Sequence, residues 1–97
     1  MLDIQLTEGF EEWLDTLDKP VRGRIVARLK KLQAELWGDR KSVGGGVIEL
    51  REQFGPGYRI YVVERGGQVV VVLAGGDKSS QTADIEKAIE LAKELKE

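Results

Sequence analysis

The chain has 97 residues, of which 15 are basic and 17 acidic, giving a formal net charge of -2 at pH 7. This length suits one domain, spanning residues 1–97, and excludes a multi-domain protein. The absence of cysteine and histidine excludes disulfides, thiol nucleophiles, Cys/His zinc sites and imidazole catalysis. No apolar stretch reaches the roughly 20 residues of a membrane span, and no signal sequence opens the chain. We therefore expect a cytoplasmic protein without a membrane partner.

Charge is distributed unevenly along the first half of the chain. Residues 1–18 carry six acidic groups and no basic one, whereas residues 19–41 carry eight basic groups against two acidic ones. Two adjacent helices of opposite charge can neutralise each other, although single surface pairs contribute little. We favour the interpretation that these two segments pair with each other.

Hydrophobic periodicity predicts a strand and two helices before residue 39. Residues 2–6 alternate as in a half-buried strand, and Thr7 can cap the helix that follows. That helix has an apolar face made of Phe10, Trp13, Leu14 and Leu17. Pro20 suits the first turn of a second helix, which ends at Gly38. Its buried stripe is made of Val21, Ile25, Leu29, Leu32 and Leu36. The short link between the helices predicts an antiparallel hairpin.

Past Gly38 the period changes to that of strands. A glycine loop at 44–46 precedes three β-prone runs at 47–53, 58–65 and 68–74, and Gly66-Gly67 predicts a tight hairpin turn. Residues 69–72 are apolar on both faces, which indicates a central strand. A third helix begins at about Gln81, capped by Ser79 or Ser80, with the stripe Ile85, Ala88, Ile89, Ala92 and Leu95.

The predicted fold class is α+β. The N-terminal strand and helical hairpin pack on a small antiparallel sheet that is followed by a C-terminal helix. One face of the sheet is then covered by helices, and the other is free for function.

Alternation in the middle strands places three polar side chains on that open face. These are Arg51, Arg59 and Tyr61, opposite Ile48, Leu50, Ile60 and Val62. Two guanidinium groups and a phenol on one surface can bind a phosphate. A solvated strand face, with Glu49 paired to one of the arginines, explains the same pattern equally well.

The segment 75–81, GGDKSSQ, connects a buried strand to a helix and could hold an anion on its free N–H groups. It is not a Walker A loop, because Asp77 occupies the position before Lys78 where that motif needs glycine. From the residues alone we favour a strand-to-helix turn with a serine cap. Phe10, Trp13 and Trp37 lie on or beside helix stripes and are assigned to the core.

Three segments, in this order along the chain, form a specific combination. They are GDRKSVGGGVIELR at 38–51, FGPGYRIY at 54–61, and GGDKSSQ at 75–81 with DIEKA at 84–88. Together they resemble the RelE/ParE superfamily of toxins, and more narrowly its HigB-like addiction module killer proteins. The resemblance extends over nearly the whole chain, including the helices around 13–14 and 22–32.

The resemblance implies a toxin of a bacterial type II toxin–antitoxin system, with a cognate antitoxin as partner. Most such relatives are ribosome-dependent endoribonucleases that cut mRNA without metal or other cofactor, by attack of the 2′-hydroxyl on the adjacent phosphate. By match to the family motifs, Arg51 and Arg59 would clamp the scissile phosphate, and Lys78 would protonate the leaving oxygen or hold the phosphate. Supporting roles in base stacking or orientation would fall to Tyr58, Tyr61 and Gln81.

Two other functions remain open. One is a catalytically inactive antitoxin-binding protein or designed scaffold, indicated by the acidic balance, the valine run at 69–72 and the Glu/Lys-rich ending at 90–97. The other is a ParE-like gyrase inhibitor.

If the chain is a nuclease, we expect the Arg59 side chain to be exposed, so that Arg59→Ala would abolish cleavage without unfolding the domain.

Overall fold

The computed structural model describes residues 1–95, and residues 96–97 of the predicted helical ending lie outside the described part. Its elements, in chain order, are β1 (Asp3–Leu6), α1 (Glu8–Asp15), α2 (Lys19–Gln33), β2 (Arg40–Gly44), β3 (Val47–Arg51), β4 (Arg59–Arg65), β5 (Val69–Gly76), a 3-10 turn (Lys78–Ser80) and α3 (Gln81–Glu94). None of the helices described is long and apolar enough to cross a membrane.

The five strands form one mixed sheet in the order β1-β5-β4-β3-β2. Strand β1 runs parallel to β5, and the other neighbours are antiparallel. The predicted α+β fold is confirmed, and β5, with its run of valines, is a central strand. The sheet is mixed and not wholly antiparallel as predicted, because β1 joins it parallel to β5. Strand β2 was not predicted, because Arg40, Lys41 and Ser42 are all exposed and show no apolar alternation.

The first sheet face is covered by α1 and α2, as expected. Thr7 caps α1 by accepting a hydrogen bond from the Phe10 N–H at 3.1 Å, and Pro20 lies in the first turn of α2. The core between these helices and the sheet contains Leu2, Phe10, Ile25, Leu29, Leu32, Leu50, Ile60, Val62, Val70 and Val72.

Helix α2 ends at Gln33 rather than at Gly38, and Leu36 is 62% exposed instead of buried. The chain leaves the helix through a Schellman motif, in which the Leu36 N–H donates to the Lys31 carbonyl at 2.9 Å and the Glu35 N–H donates to Leu32 at 2.8 Å. Glu35 occupies the left-handed position of this motif with φ 66°. Glycine usually takes that position, which is why the sequence pattern pointed to Gly38.

Gly38 has a different role. It has φ 69°, and a Cβ there would lie 3.2 Å from the nearest guanidinium nitrogen of Arg28. Gly38 therefore lets the chain pass close over the Arg28 side chain.

The second face of the sheet is not free, because α3 covers most of it. Buried side chains between α3 and the sheet are Val47, Tyr61, Val63, Leu73, Ala88 and Ala92. The segment before α3 is capped by Asp77, whose carboxylate accepts from the Ser79 N–H at 2.8 Å. Ser80 occupies the N-cap position of α3, as predicted, but its hydroxyl donates to the Asp84 carboxylate instead of accepting from a backbone N–H of the helix.

The predicted pairing between the acidic and basic segments is also wrong. Within residues 1–95, no ion pair joins an acidic group of α1 to a basic group of α2. Of the basic groups in α2, Arg28 pairs with Glu52, and Arg22 donates to the Leu17 carbonyl. The other charges of the two helices face solvent.

We expect Glu35→Gly to stabilise the fold by about 1 kcal/mol, because glycine adopts the left-handed backbone without steric cost. For a domain of this size, the melting temperature should rise by about 4–8 °C in a circular dichroism melt. The control is Ala34→Gly, one residue earlier, where φ is -84° and glycine should lower the melting temperature. An unchanged or lower melting temperature for Glu35→Gly would contradict the assignment of backbone strain to Glu35.

Candidate functional site

Strand register brings the backbones of the predicted catalytic residues to one end of the sheet. Arg51 lies directly opposite Arg59 in the β3–β4 pair, and Arg59 lies opposite Gly76 in the β4–β5 pair. Lys78 follows two residues after Gly76, in the turn before α3. The three side chains nevertheless have different environments.

Arg51 is held by a carboxylate at the surface. Its Nε and Nη2 donate to one oxygen of Asp39 at 3.2 and 2.8 Å, and Gln53 donates to the other oxygen at 2.9 Å. The hydrogen bond from Arg51 lowers the pKa of Asp39, and the same bond raises the pKa of Arg51. The Arg51 side chain is one-third exposed, so a ligand can reach it.

Arg59 is buried, contrary to the expectation that it is exposed. Only 7% of the residue is accessible, and its Nη1 donates long hydrogen bonds to the carbonyls of Glu52 at 3.4 Å and Tyr58 at 3.3 Å. Its Nε lies 3.9 Å from the Glu49 carboxylate and has no hydrogen-bond partner. Removing Arg59 would leave Glu49 buried beside no cation, so Arg59→Ala would test folding as much as activity.

Tyr61 and Gln81 both bind the buried carboxylate of Glu49. The Tyr61 hydroxyl donates to Glu49 Oε2 at 3.1 Å, and Gln81 Nε2, at the start of α3, donates to the same oxygen at 2.8 Å. Tyr61 and Glu49 are fully buried. Tyr61 therefore does not project from an open face, and in this conformation it cannot stack on a base.

Lys78 is exposed and lies along the 54–57 loop. A Cβ on Gly57 would come within 3.0–3.2 Å of the Lys78 side-chain carbons, so the glycine makes room for the aliphatic part of Lys78. Within residues 1–95 the ammonium group makes no ion pair. The neighbouring Asp77 accepts from Ser79, and those hydrogen bonds lower the pKa of Asp77.

Tyr58 lies on the other side of the sheet from the arginines. Its ring centroid is 5.3 Å from that of Phe54 and 6.3 Å from that of Trp13, and all three pack against the core of α1 and α2.

Trp13 and Trp37 are half-buried against this core, and Phe10 is fully buried, which confirms their assignment as core residues.

Sequence reasoning missed two residues that build the site, Arg28 and Asp39. Arg28 is 9% exposed and donates to the carbonyls of Trp37, Asp39 and Arg51 at 3.0, 2.8 and 2.8 Å and to the Glu52 carboxylate at 2.5 Å. The available signal was its position in α2, since a residue three after Ile25 lies on the buried stripe. No comparable pattern marked Asp39.

The part of the chain that the structure describes brings together no group of three or more potential metal ligands. The arginines at this end of the sheet each lie beside a carboxylate, Arg28 beside Glu52, Arg51 beside Asp39 and Arg59 beside Glu49. Arg51 and Lys78 are accessible, and Arg59 is buried behind them with Glu49.

Burial raises the pKa of Tyr61 above its ordinary value of 10.0, and the nearby charge of Glu49 raises it further. The folded protein thus holds the phenolic proton more tightly than the unfolded chain. The resulting stability is complete below about pH 10 and falls as the pH rises above it.

In an absorbance titration of tyrosinate, we expect Tyr61 to ionise together with unfolding. Tyr61→Phe should remove this step and Tyr58→Phe should leave it. Ionisation of Tyr61 in the folded protein would contradict its burial.

Comparison with known proteins identifies relatives over almost the whole chain. Residues 12–97 match the model of the family described as phage derived protein Gp49-like (DUF891). A Haemophilus influenzae protein described as uncharacterized is 44% identical over 95 residues, which is 97% of this chain and 96% of that protein.

A solved structure shares the fold. It is a double-arginine mutant of the E. coli toxin RelE in the free state, with a TM-score of 0.72 and 16% sequence identity, covering 93% of this chain and 96% of that one. The fold agrees with the sequence resemblance, and the family match covers residues 12–97. The chain therefore belongs to the Gp49-like (DUF891) family, and it has the fold of the RelE toxin.

Proposed function

We propose that this chain is the toxin of a bacterial type II toxin–antitoxin system and cuts mRNA on the ribosome without a metal ion. The observation that carries the proposal is the register of β3 and β4, which sets Arg51 opposite Arg59 at the end of the sheet where Lys78 is also exposed. Three cations at one end of a sheet suit a phosphodiester whose negative charge grows during cleavage.

The proposed reaction is an internal transfer at phosphorus. The 2′-hydroxyl oxygen of the RNA attacks the adjacent phosphorus, the bond from phosphorus to the 5′ oxygen breaks, and a 2′,3′-cyclic phosphate and a 5′-hydroxyl result. The 2′-hydroxyl loses its proton to water, and the Lys78 ammonium gives a proton to the departing 5′ oxygen. Arg51 binds the non-bridging oxygens of the phosphate.

Binding of the phosphate requires Arg51 to exchange one anion for another. Its present partner, Asp39, is 38% exposed at the side chain, and exposed ion pairs contribute little to stability. A substrate phosphate can therefore replace the Asp39 carboxylate without unfolding the region. Asp39 thus competes with the substrate for the guanidinium group.

Arg59 acts from below the surface in this proposal. Its guanidinium group donates to the carbonyls of Glu52 and Tyr58, which flank the 54–57 loop beside Lys78. Its charge adds to the positive potential of the site, and Glu49, at 3.9 Å, offsets part of that charge.

The proposed partners are mRNA, the ribosome and a cognate antitoxin, and the proposed location is the cytoplasm. The fold shared with the E. coli toxin RelE, together with the sequence resemblance to the RelE/ParE superfamily, supports an antitoxin partner.

A second candidate function is binding of an antitoxin-like partner without catalysis. It is favoured by the fact that Arg51 is paired with Asp39 while Arg59 is buried beside Glu49. If these contacts persist in the presence of RNA, Lys78 is the only predicted catalytic residue free to act among the three. A tight complex with the partner and no mRNA cleavage at any concentration would select this function.

We expect Lys78→Met to reduce mRNA cleavage in a translating extract by about 10²-fold or more, because the proton donor is lost. Primer extension on the translated message measures the cut. Lys30→Met, at an exposed position in α2, is the matched control and should cleave as the wild type does. Full cleavage by Lys78→Met would remove Lys78 from the mechanism, and no cleavage by the wild-type chain would contradict the proposed activity.

Asp39→Asn and Arg51→Gln should change cleavage in opposite directions. Asp39→Asn keeps the shape of the side chain but removes the charge that competes for Arg51, so the concentration needed for half-maximal cleavage should fall about three-fold or more. Arg51→Gln removes the phosphate ligand and should reduce cleavage by about 10-fold or more. The same translating extract measures both. A loss of cleavage in the Asp39→Asn protein, with an unchanged melting temperature, would show that Asp39 supports catalysis instead of competing with substrate.

A further inference from the structure

We propose that a basic-aromatic strip beside Arg51 binds single-stranded RNA through its bases as well as its phosphates. The strip is defined by six residues, Arg24, Trp37, Arg40, Arg51, Gln53 and Phe54. The inference rests on the proposed function, since it names how the substrate of the same site is held.

Two arginines of the strip stack on aromatic rings. The guanidinium carbon of Arg24, in α2, lies 3.7 Å from the centroid of the Phe54 ring, and that of Arg40, in β2, lies 4.5 Å from the Trp37 ring. Both arginines are exposed, and both rings are half-buried. Each ring thus orders a guanidinium plane at the surface of the protein.

Asp39, which directly precedes Arg40, links the backbone segments that carry the two stacks. Its carboxylate binds Arg51 through one oxygen and Gln53 through the other, and Gln53 directly precedes Phe54. From below, Arg28 donates to the backbone carbonyls of Trp37 and Arg51. Both stacks lie on the side of the sheet covered by α1 and α2, whereas the Arg51 side chain lies on the side of α3, at the strand end that Arg28 holds. A single strand that contacts the stacks and Arg51 therefore passes around this end of the sheet.

The charge of the strip differs from that of the whole chain. Arg24 and Arg40 make no ion pair within residues 1–95, and Arg51 shares the exposed carboxylate of Asp39. Within residues 1–95, the acidic groups of α1 make no ion pair with α2 either. A chain with a net charge of -2 thus has a local cationic surface next to the candidate site.

This combination fits a single strand better than a duplex. Nucleic-acid-binding proteins hold single strands with cations that follow the backbone and with flat side chains on which unpaired bases stack. In a duplex the bases stack on one another and cannot cover the guanidinium planes. Arginines that only shield aromatic rings from water would instead contact any polyanion equally.

The test measures RNA binding by the purified full chain in the absence of ribosomes. The probes are a fluorescein-labelled single-stranded RNA of about twelve nucleotides and a duplex of the same sequence, followed by fluorescence anisotropy at several salt concentrations. We expect the wild type to bind the single strand more tightly than the duplex.

Arg24→Lys and Arg40→Lys preserve charge and remove the planar group. Each should weaken single-strand binding about five-fold and leave the salt dependence unchanged, because only stacking is lost. Arg24→Gln and Arg40→Gln should in addition reduce the slope of log affinity against log salt by about 0.7 each. The controls Lys30→Gln and Lys31→Gln remove exposed charges of α2 that stack on no ring, and should leave the preference for the single strand intact.

Three outcomes would contradict the proposal that the strip binds single-stranded RNA: lysine variants that bind the single strand as the wild type does, equal binding of the duplex, or no binding of single-stranded RNA. These outcomes are separable from failure of the proposed cleavage. Lys78→Met should keep the preference for the single strand over the duplex while losing cleavage. Cleavage by a wild type whose arginine-to-lysine variants bind unchanged would leave the nuclease proposal standing and remove the strip. Binding that follows the expected pattern, without cleavage by the wild type, would support the strip and contradict the nuclease proposal.

Discussion

The guanidinium group of Arg28 holds the end of the sheet on which the candidate site depends. It is nearly buried and donates to three backbone carbonyls and one carboxylate, so that the segment before β2, the end of β3 and helix α2 meet at one side chain. Its Nη1 and Nη2 each donate two hydrogen bonds, whereas its buried Nε has no partner within residues 1–95. Breaking a buried ion pair by removing one partner typically costs about 3–5 kcal/mol. The constraint extends to Arg51, whose backbone carbonyl accepts from Arg28 and whose side chain is bound by Asp39, another residue held by Arg28.

Helix α3 divides the candidate site into a buried and an accessible half. Gln81, in its first turn, donates to Glu49, which also accepts from Tyr61 and lies near Arg59. These polar groups are thereby removed from solvent, whereas Arg51 and Lys78 remain within reach of a ligand. The accessible cations define where a phosphate can bind, and the buried group contributes charge and holds α3 against the sheet.

The sequence predicted most elements because strand and helix periods are strong wherever one face is buried. It failed where exposure or chemistry removed that signal. The residues of β2 are exposed, and the end of α2 uses Glu35 where glycine is usual, so neither follows a common pattern. The covered second face was readable from Val47, Tyr61 and Val63, which alternate with the first core, but Arg59 and Glu49 on the same face suggested solvent. Pairing of Arg51 with Asp39 depends on a contact between strand ends, which no spacing along the chain specifies.

Three of the four hydrogen bonds from Arg28 end on main-chain oxygens, at Trp37, Asp39 and Arg51. Main-chain oxygens are present whatever side chain a position carries. These three hydrogen bonds from Arg28 therefore do not depend on the side chains at positions 37, 39 and 51. The accessible side chains of Asp39 and Arg51 can then be exchanged while the local architecture persists, whereas Trp37 is constrained because it packs on the core. In a scaffold of this kind, substitutions that change ligand preference need not disturb the core.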